Sequence, residues 1–233
     1  MRPEDLALGP LWYVIFLLST TCHEASHAWA AKLGGDLTAF HGGQLTLNPV
    51  PHIRREPFGL VLIPILSFFM GGTMIGWASA PYDPNWQRRY PKRAAWMSLA
   101  GPAANYSLML LAALLIHIGI AAGIFAVPHS VGFTSVVAPA PGSSELASAS
   151  ATFISILFSL NLLLGTFNLL PVPPLDGYGV LGIFTSEAGA RRLEDFRRQA
   201  GIYSMLGLLI GWQLFNYVFG PVFFTALRLL YWV

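Results

Sequence analysis

The stretch PLWYVIFLLSTTCHEASHAWAAKL, residues 10–33, reads as a membrane-spanning helix whose second half carries three ionisable side chains, His23, Glu24 and His27. Such groups at bilayer depth are costly, so their presence there points to function. Residues four apart on an α-helix share a face and lie about 6 Å apart along the axis. His23 and His27 can therefore offer two imidazoles to one metal ion, with Glu24 beside the ion's open position. The spacing is the H-E-x-x-H arrangement of zinc hydrolases, in which the glutamate is a general base and not a ligand. Two packed histidines without a metal are the plainer alternative.

Working outward, hydrophobic residues make up 55% of the 233-residue chain and charged residues 10%. Several runs reach the ~20 residues that cross a bilayer, which makes this an integral membrane protein and argues against a soluble zinc hydrolase. The net charge of +2 resides in loops, suited to an anionic lipid surface, and no nucleic-acid-binding module is recognisable. Residues 1–5 hold one Arg against two acids with no clear cleavage site, so no removable signal is expected. A single cysteine, Cys22, forms no internal disulfide; it reads as a small apolar residue, with a regulatory thiol as the alternative.

The first span, residues 10–33, stops at Gly34-Gly35. Residues 37–48 alternate around Gly42-Gly43 and are expected to form a small membrane-associated β-hairpin. Residues 58–78 are apolar but interrupted by Pro64 and Gly71-Gly72. A basic loop with Arg88, Arg89, Lys92 and Arg93 leads to a second span, residues 94–127, and the Pro-, Gly- and Ser-rich residues 128–150 are expected to be an exposed loop. A third span, residues 151–170, ends at Pro171, Pro173 and Pro174, which cannot continue a regular helix. Residues 191–198 form a basic amphipathic segment, either lying on the membrane or solvated. A fourth span covers residues 201–219, and Gly220-Pro221 separates it from a short helix, residues 222–233. The expected fold is an all-α polytopic membrane protein, one domain over residues 1–233, built from about four to six transmembrane segments with the hairpin and a re-entrant segment.

A catalytic zinc site usually takes three protein ligands and a water. Asp176 is the foremost candidate for the third, because it is the only acid between Glu145 and Glu187 and follows prolines that free the backbone. A solvated turn Asp before Gly177 is the alternative. If His27 and Asp176 meet at one ion, the helices carrying them run parallel and one crossing, residues 94–127, separates them. Residues 58–78 then dip in and return, or lie at the interface. In that layout Arg54, Arg55, the cluster from Arg88 to Arg93 and that from Arg191 to Arg198 share one side, expected to be cytoplasmic, while residues 128–150 carry no Lys or Arg.

Four pieces occur in order: HEASHAWAAKLGGD at residues 23–36, TLNPVPH at 46–52, AGPAAN at 100–105 and NLLPVPPLDG at 168–177. Through them the chain resembles the site-2 protease family, intramembrane zinc metalloproteases of peptidase family M50. The resemblance implies one Zn2+ per chain held by His23, His27 and Asp176, with Glu24 as catalytic base. It also implies hydrolysis of peptide bonds in or near transmembrane segments, in a multi-pass protein of the cell membrane whose partners are the lipid bilayer and membrane proteins with a transmembrane helix. One departure is GWASAP at residues 76–81, where relatives often carry Lys in place of Ser79. No PDZ-like or CBS-like appendage is expected.

Asn105 and Asn168 are amides suited to binding substrate backbone or an oxyanion, with polar contacts between helices as the alternative. His52 is a candidate for orienting substrate. The edge of the expected hairpin is a candidate for holding an extended substrate by strand addition. The competing function is a membrane zinc transporter or sensor, which has no use for a base beside a two-histidine pair.

Overall fold

Pro10 opens helix α1 (Gly9–Leu33), where its missing N–H is no loss in a first turn. The computed structural model describes residues 6–232; residues 1–5, with their one Arg and two acids, and Val233, the last residue of the expected 222–233 helix, lie outside the described residues. One stripe of α1 faces inward. It begins apolar with Trp12, Ile15 and Phe16, passes through Ser19 and Thr20, and ends with His23, His27 and Ala31. The hydroxyls of Ser19, Thr20 and Ser26 donate to the carbonyls of Ile15 (2.7 Å), Phe16 (2.8 Å) and Cys22 (2.8 Å), which satisfies them without a partner helix. At the far end, the Gly34 carbonyl accepts from Trp86 Nε1 (2.9 Å) and Arg93 Nη1 (3.0 Å), which pins the end of α1 to the segment that carries those two side chains.

The β-hairpin expected over residues 37–48 does not form. Asp36 Oδ1 accepts from Thr38 N (2.9 Å) and Thr38 Oγ1 (2.6 Å), and this starts a helical turn, α2 (Thr38–His41), in place of a strand. Gly42 N bonds back to the Thr38 carbonyl at 2.9 Å, so the glycine pair closes a helix end and not a strand turn. Asn48 then caps α3 (Pro49–Arg55), its side chain accepting from Val50 N at 3.0 Å. With no strand there, no edge exists at residues 37–48 for strand addition.

Helix α4 (Phe58–Gly71) opens with a π-helical turn and is shorter than the ~20 residues a span needs. Gly72, at φ 73°, ends it in the left-handed region, and residues 73–83 run back along it. Ile75 N donates to Ser67 Oγ (2.9 Å) and Trp77 N to the Gly59 carbonyl (3.1 Å), so the chain folds back alongside α4.

A short α5 (Pro84–Arg89) precedes the long α6 (Pro91–Ala121). The helix stops earlier than the expected residue 127 because Gly123 turns the chain at φ 71°. Two short antiparallel strands come next, β1 (Phe125–Ala126) and β2 (Ala138–Pro139). The loop expected to be exposed over residues 128–150 is partly core: Val136 and Val137 are buried, Val137 N donates to Ser155 Oγ at 3.1 Å, and Phe133 stacks on Trp12 at 5.6 Å. Apolar side chains in that loop outweigh its turn-rich composition. Ser144 caps α7 (Glu145–Asn168), which begins six residues before the expected span.

The chain continues through α8 (Asp176–Val180) and a 3-10 turn to α9 (Glu187–Ala200) and α10 (Leu206–Tyr231). The expected break at Gly220-Pro221 does not occur; α10 is one helix with Pro221 inside it. In α9, Arg191, Arg192, Arg198 and Gln199 face outward together with Phe196, which is 57% exposed, while Ala190 and Glu194 are buried, so the helix docks by its inner face and presents a basic outer face with one aromatic side chain.

Three helices among the described residues are long and apolar enough to cross a membrane, Pro91–Ala121, Glu145–Asn168 and Tyr203–Tyr231, and the chain is an α-helical membrane protein. The 25-residue α1 is long enough, but its polar stripe keeps it out of that set. Helices α1 and α7 run the same way: Ser19 meets Asn161, and further on His23 and His27 meet Asp176 beyond the end of α7. Helix α6 packs against both in the opposite sense, its start against Gly34 and its middle against Ser19.

Candidate metal centre

Three potential metal donors from two distant parts of the chain converge. Asp176 Oδ2 lies 3.0 Å from His23 Nε2 and 3.2 Å from His27 Nε2, and the two Nε2 atoms are 3.0 Å apart. His23 and His27 come from the inner stripe of α1, and Asp176 from the first residue of α8. The prolines ahead of Asp176 end α7, and Gly177 lets the new helix start directly against it. A Cβ at Gly177 would stand 2.2 Å from the Leu169 carbonyl oxygen and 2.5 Å from that of Leu170. The Asp-Gly pair is thus a packing requirement: the glycine allows the approach that carries the carboxylate to the histidines.

Each imidazole is held from behind. His27 Nδ1 donates to the Met97 carbonyl (2.7 Å) and His23 Nδ1 to Asn105 Oδ1 (2.6 Å), so both Nε2 lone pairs point at the shared space. Helix α6 supplies both partners and also forms the wall. A Cβ at Gly101 would stand 2.3 Å from His27 Nε2 and 2.5 Å from His23 Nε2, so only glycine leaves room there. Gly101 was legible only as part of AGPAAN; an interior helical glycine beside Pro102 was its signal. Glu24 is buried at 6% exposure and, among the described residues, has no hydrogen-bond or ion-pair partner.

The remaining expected residues divide. Asn105 is fully buried with its oxygen on His23, so it is enclosed among the helices and has no surface for a substrate. Asn168 is half-buried and donates to the Leu164 carbonyl one turn back (3.0 Å). His52, at 1% exposure, donates from Nε2 to the Thr46 carbonyl (3.0 Å) and is not part of the group formed by His23, His27 and Asp176. Within TLNPVPH only His52 is buried, while Leu47 and Val50 stay exposed, a distinction that the one-letter pattern does not reveal.

A polar clasp fixes α8 from outside the bundle. Lys92 Nζ donates to the carbonyls of Gly182 (3.0 Å), Ile183 (2.9 Å) and Thr185 at the end of the turn after α8. Tyr178 donates to the Leu193 carbonyl of α9 (3.1 Å), and Glu194 accepts from Gln87 (2.9 Å) while pairing with Arg197 (3.0 Å). Burial pushes the Tyr178 hydroxyl up, Glu194 adds to that, and Arg197 opposes it. Burial alone would lower the pKa of Arg197, but Glu194 and Tyr82 together hold it above its ordinary value.

Two buried histidines and a partly buried aspartate inside a helical bundle define a class, a helical membrane protein with an internal metal-binding constellation. The chain belongs to peptidase family M50: residues 12–212 match the model described as "Peptidase family M50". By that membership, as its motifs implied, it is a membrane metallopeptidase. It is 36% identical over 180 residues to the Bacillus subtilis protein named "Putative zinc metalloprotease YwhC", covering 76% of this chain and 69% of that protein. It is also 30% identical over 208 residues to the Mycolicibacterium smegmatis protein of the same description, Rip2, covering 89% of this chain and 70% of that one. The Mycobacterium tuberculosis Rip2 is 29% identical over 210 residues, 89% of this chain and 70% of that protein. No solved structure matches the chain.

Proposed function

We propose that the protein hydrolyses peptide bonds in or near the transmembrane segments of membrane-protein substrates, using one zinc ion held by His23, His27 and Asp176, with Glu24 as general base. The observation that carries this is the meeting of three donor atoms within 4.8 Å of one another, from positions 149 residues apart in the chain. The donors fit zinc: two imidazole nitrogens and one carboxylate form a set that zinc accepts with a position left open. Both histidines have Nδ1 engaged by an acceptor, which leaves Nε2 free to coordinate.

When bound, zinc acts as a Lewis acid that lowers the pKa of water and polarises a carbonyl. The Glu24 carboxylate, with no competing partner among the described residues, takes a proton from the attacking water and returns it to the departing amine. Asn168, the half-buried amide nearest the α7 terminus, remains available to bind substrate backbone. A helical substrate hides its carbonyls in its own hydrogen bonds, so its scissile segment must unwind before attack.

The basic clusters of α5 and α9 lie together: Arg198 donates to the Pro84 carbonyl at 2.7 Å, and Arg88 approaches Asp195 at 3.7 Å. We assign that side to the cytoplasm of a multi-pass protein of the cell membrane, with α1 as a further span and α4 re-entrant.

The test is Glu24→Gln in purified protein with a single-span peptide substrate. Cleavage is expected to vanish while zinc content stays at the wild-type level. Undiminished cleavage would remove Glu24 as base and the mechanism with it.

A further inference from the structure

The structure assigns to Asn161 a positioning role: through Asn105 it fixes which nitrogen of His23 faces the metal. This rests on the zinc reading proposed for the site. Asn161 sits in the middle of α7, fully buried, where a polar amide is costly unless all its groups are satisfied.

The orientation of each amide is fixed by groups that have only one possible role. The Leu157 carbonyl can only accept, and it lies 2.9 Å from one side-chain terminus of Asn161, so that terminus is the NH2 group. Ser19 Oγ gives its own hydrogen to the Ile15 carbonyl (2.7 Å), which leaves it accepting from the same Asn161 NH2 at 2.9 Å. The oxygen of Asn161 therefore faces Asn105 and accepts from its Nδ2 at 2.9 Å. The Ser19 carbonyl lies 3.4 Å from the same nitrogen, another group that can only accept. Asn105 thus turns its oxygen to His23 Nδ1, 2.6 Å away, and an oxygen that only accepts requires that nitrogen to carry the hydrogen. The Nε2 lone pair is left for the metal.

His27 reaches the same tautomer directly through the Met97 carbonyl, so it needs no side-chain chain behind it. His23 does. Without Asn161, the Asn105 NH2 keeps only the long contact to Ser19, and its amide can rotate to present a donor to His23. The ring would then favour hydrogen on Nε2, where it blocks coordination. The three fully buried polar residues Ser19, Asn105 and Asn161 come from three helices, so the chain of bonds also sets how those helices register around the site.

The experiment is a double-mutant cycle on zinc affinity, measured by competition with a chromophoric chelator on the detergent-solubilised full chain. Asn161→Leu and Asn105→Leu are each expected to weaken zinc binding roughly 10- to 100-fold, the usual effect of losing a ligand's outer partner. Combining them should weaken it no further than Asn105→Leu alone, because Asn161 acts only through Asn105. Asn161→Ser is the second variant, since its shorter side chain can still bond back along α7 but cannot reach Asn105; the same weakening is expected. Thermal melts of the metal-free proteins separate loss of fold from loss of metal. Unchanged affinity in Asn161→Ser, or losses that multiply in the double variant, would overturn the relay while wild-type binding left the zinc reading intact. Wild-type protein that binds no zinc would instead sink the zinc reading, and the relay with it.

Discussion

Replacing Gly101 with alanine is expected to strip the protein of its metal, although helix preference alone favours alanine by about 1 kcal/mol. The added carbon would stand 2.3 Å from His27 Nε2 and 2.5 Å from His23 Nε2, where ordinary contact begins at 3.4 Å, an overlap of about 1 Å on each ring. The rings have nowhere to withdraw. His23 is braced at 2.6 Å by Asn105 and His27 at 2.7 Å by the Met97 carbonyl, and each brace broken in a buried site costs about 1–3 kcal/mol. Alternatively α1 and α6 separate, at an overpacking cost of about 1–3 kcal/mol. Either route exceeds the helix-preference gain, and a misplacement of about 1 Å at a reacting centre can lower a rate by about 10²-fold. The assay is zinc per chain after dialysis against a chelator, together with cleavage of a single-span substrate. Gly220→Ala serves as the control, since nothing lies within 4 Å of its Cβ and both readings should stay at wild-type level. A Gly101→Ala protein that keeps its zinc and its rate would refute the wall that α6 is said to form.

Gly207→Ala should destabilise the docking of α10, because its Cβ would stand 1.7 Å from the Pro173 carbonyl oxygen; a loss of about 1–3 kcal/mol is expected in thermal unfolding, with lower activity. Lys92→Met leaves the Ile183 carbonyl without its donor and the Gly182 carbonyl with Thr185 alone, and a drop of about 1–3 kcal/mol with weakened zinc retention is expected in melting and metal analysis. Glu194→Ala leaves Arg197 without its carboxylate partner, the side chain being 27% exposed; a smaller loss, about 1 kcal/mol, is expected in the same melts with zinc content unchanged.

What could be read from residues alone was what a single helix or a single turn dictates. His23 and His27 share a face by helical period, and Asp176 stood out as a lone acid behind prolines in an apolar region. The misreadings arose where one residue pair serves two turns. Gly42-Gly43 suits a hairpin as well as a helix end, and the choice lay with Asp36 bonding to Thr38. Gly220-Pro221 reads as a helix break, yet α10 runs through it with Pro221 inside. Asn161 was silent, and Gly101 showed only as part of AGPAAN, for another reason: their roles depend on distances between helices, which no periodicity within one segment encodes.

The central claim is that His23, His27 and Asp176 together grip one zinc ion inside the helical bundle. Metal analysis of wild-type and Asp176→Ala protein, purified in parallel without added zinc, addresses it most directly. About one zinc per wild-type chain and almost none in the variant is the predicted result. A variant that folds and retains the full complement would contradict it.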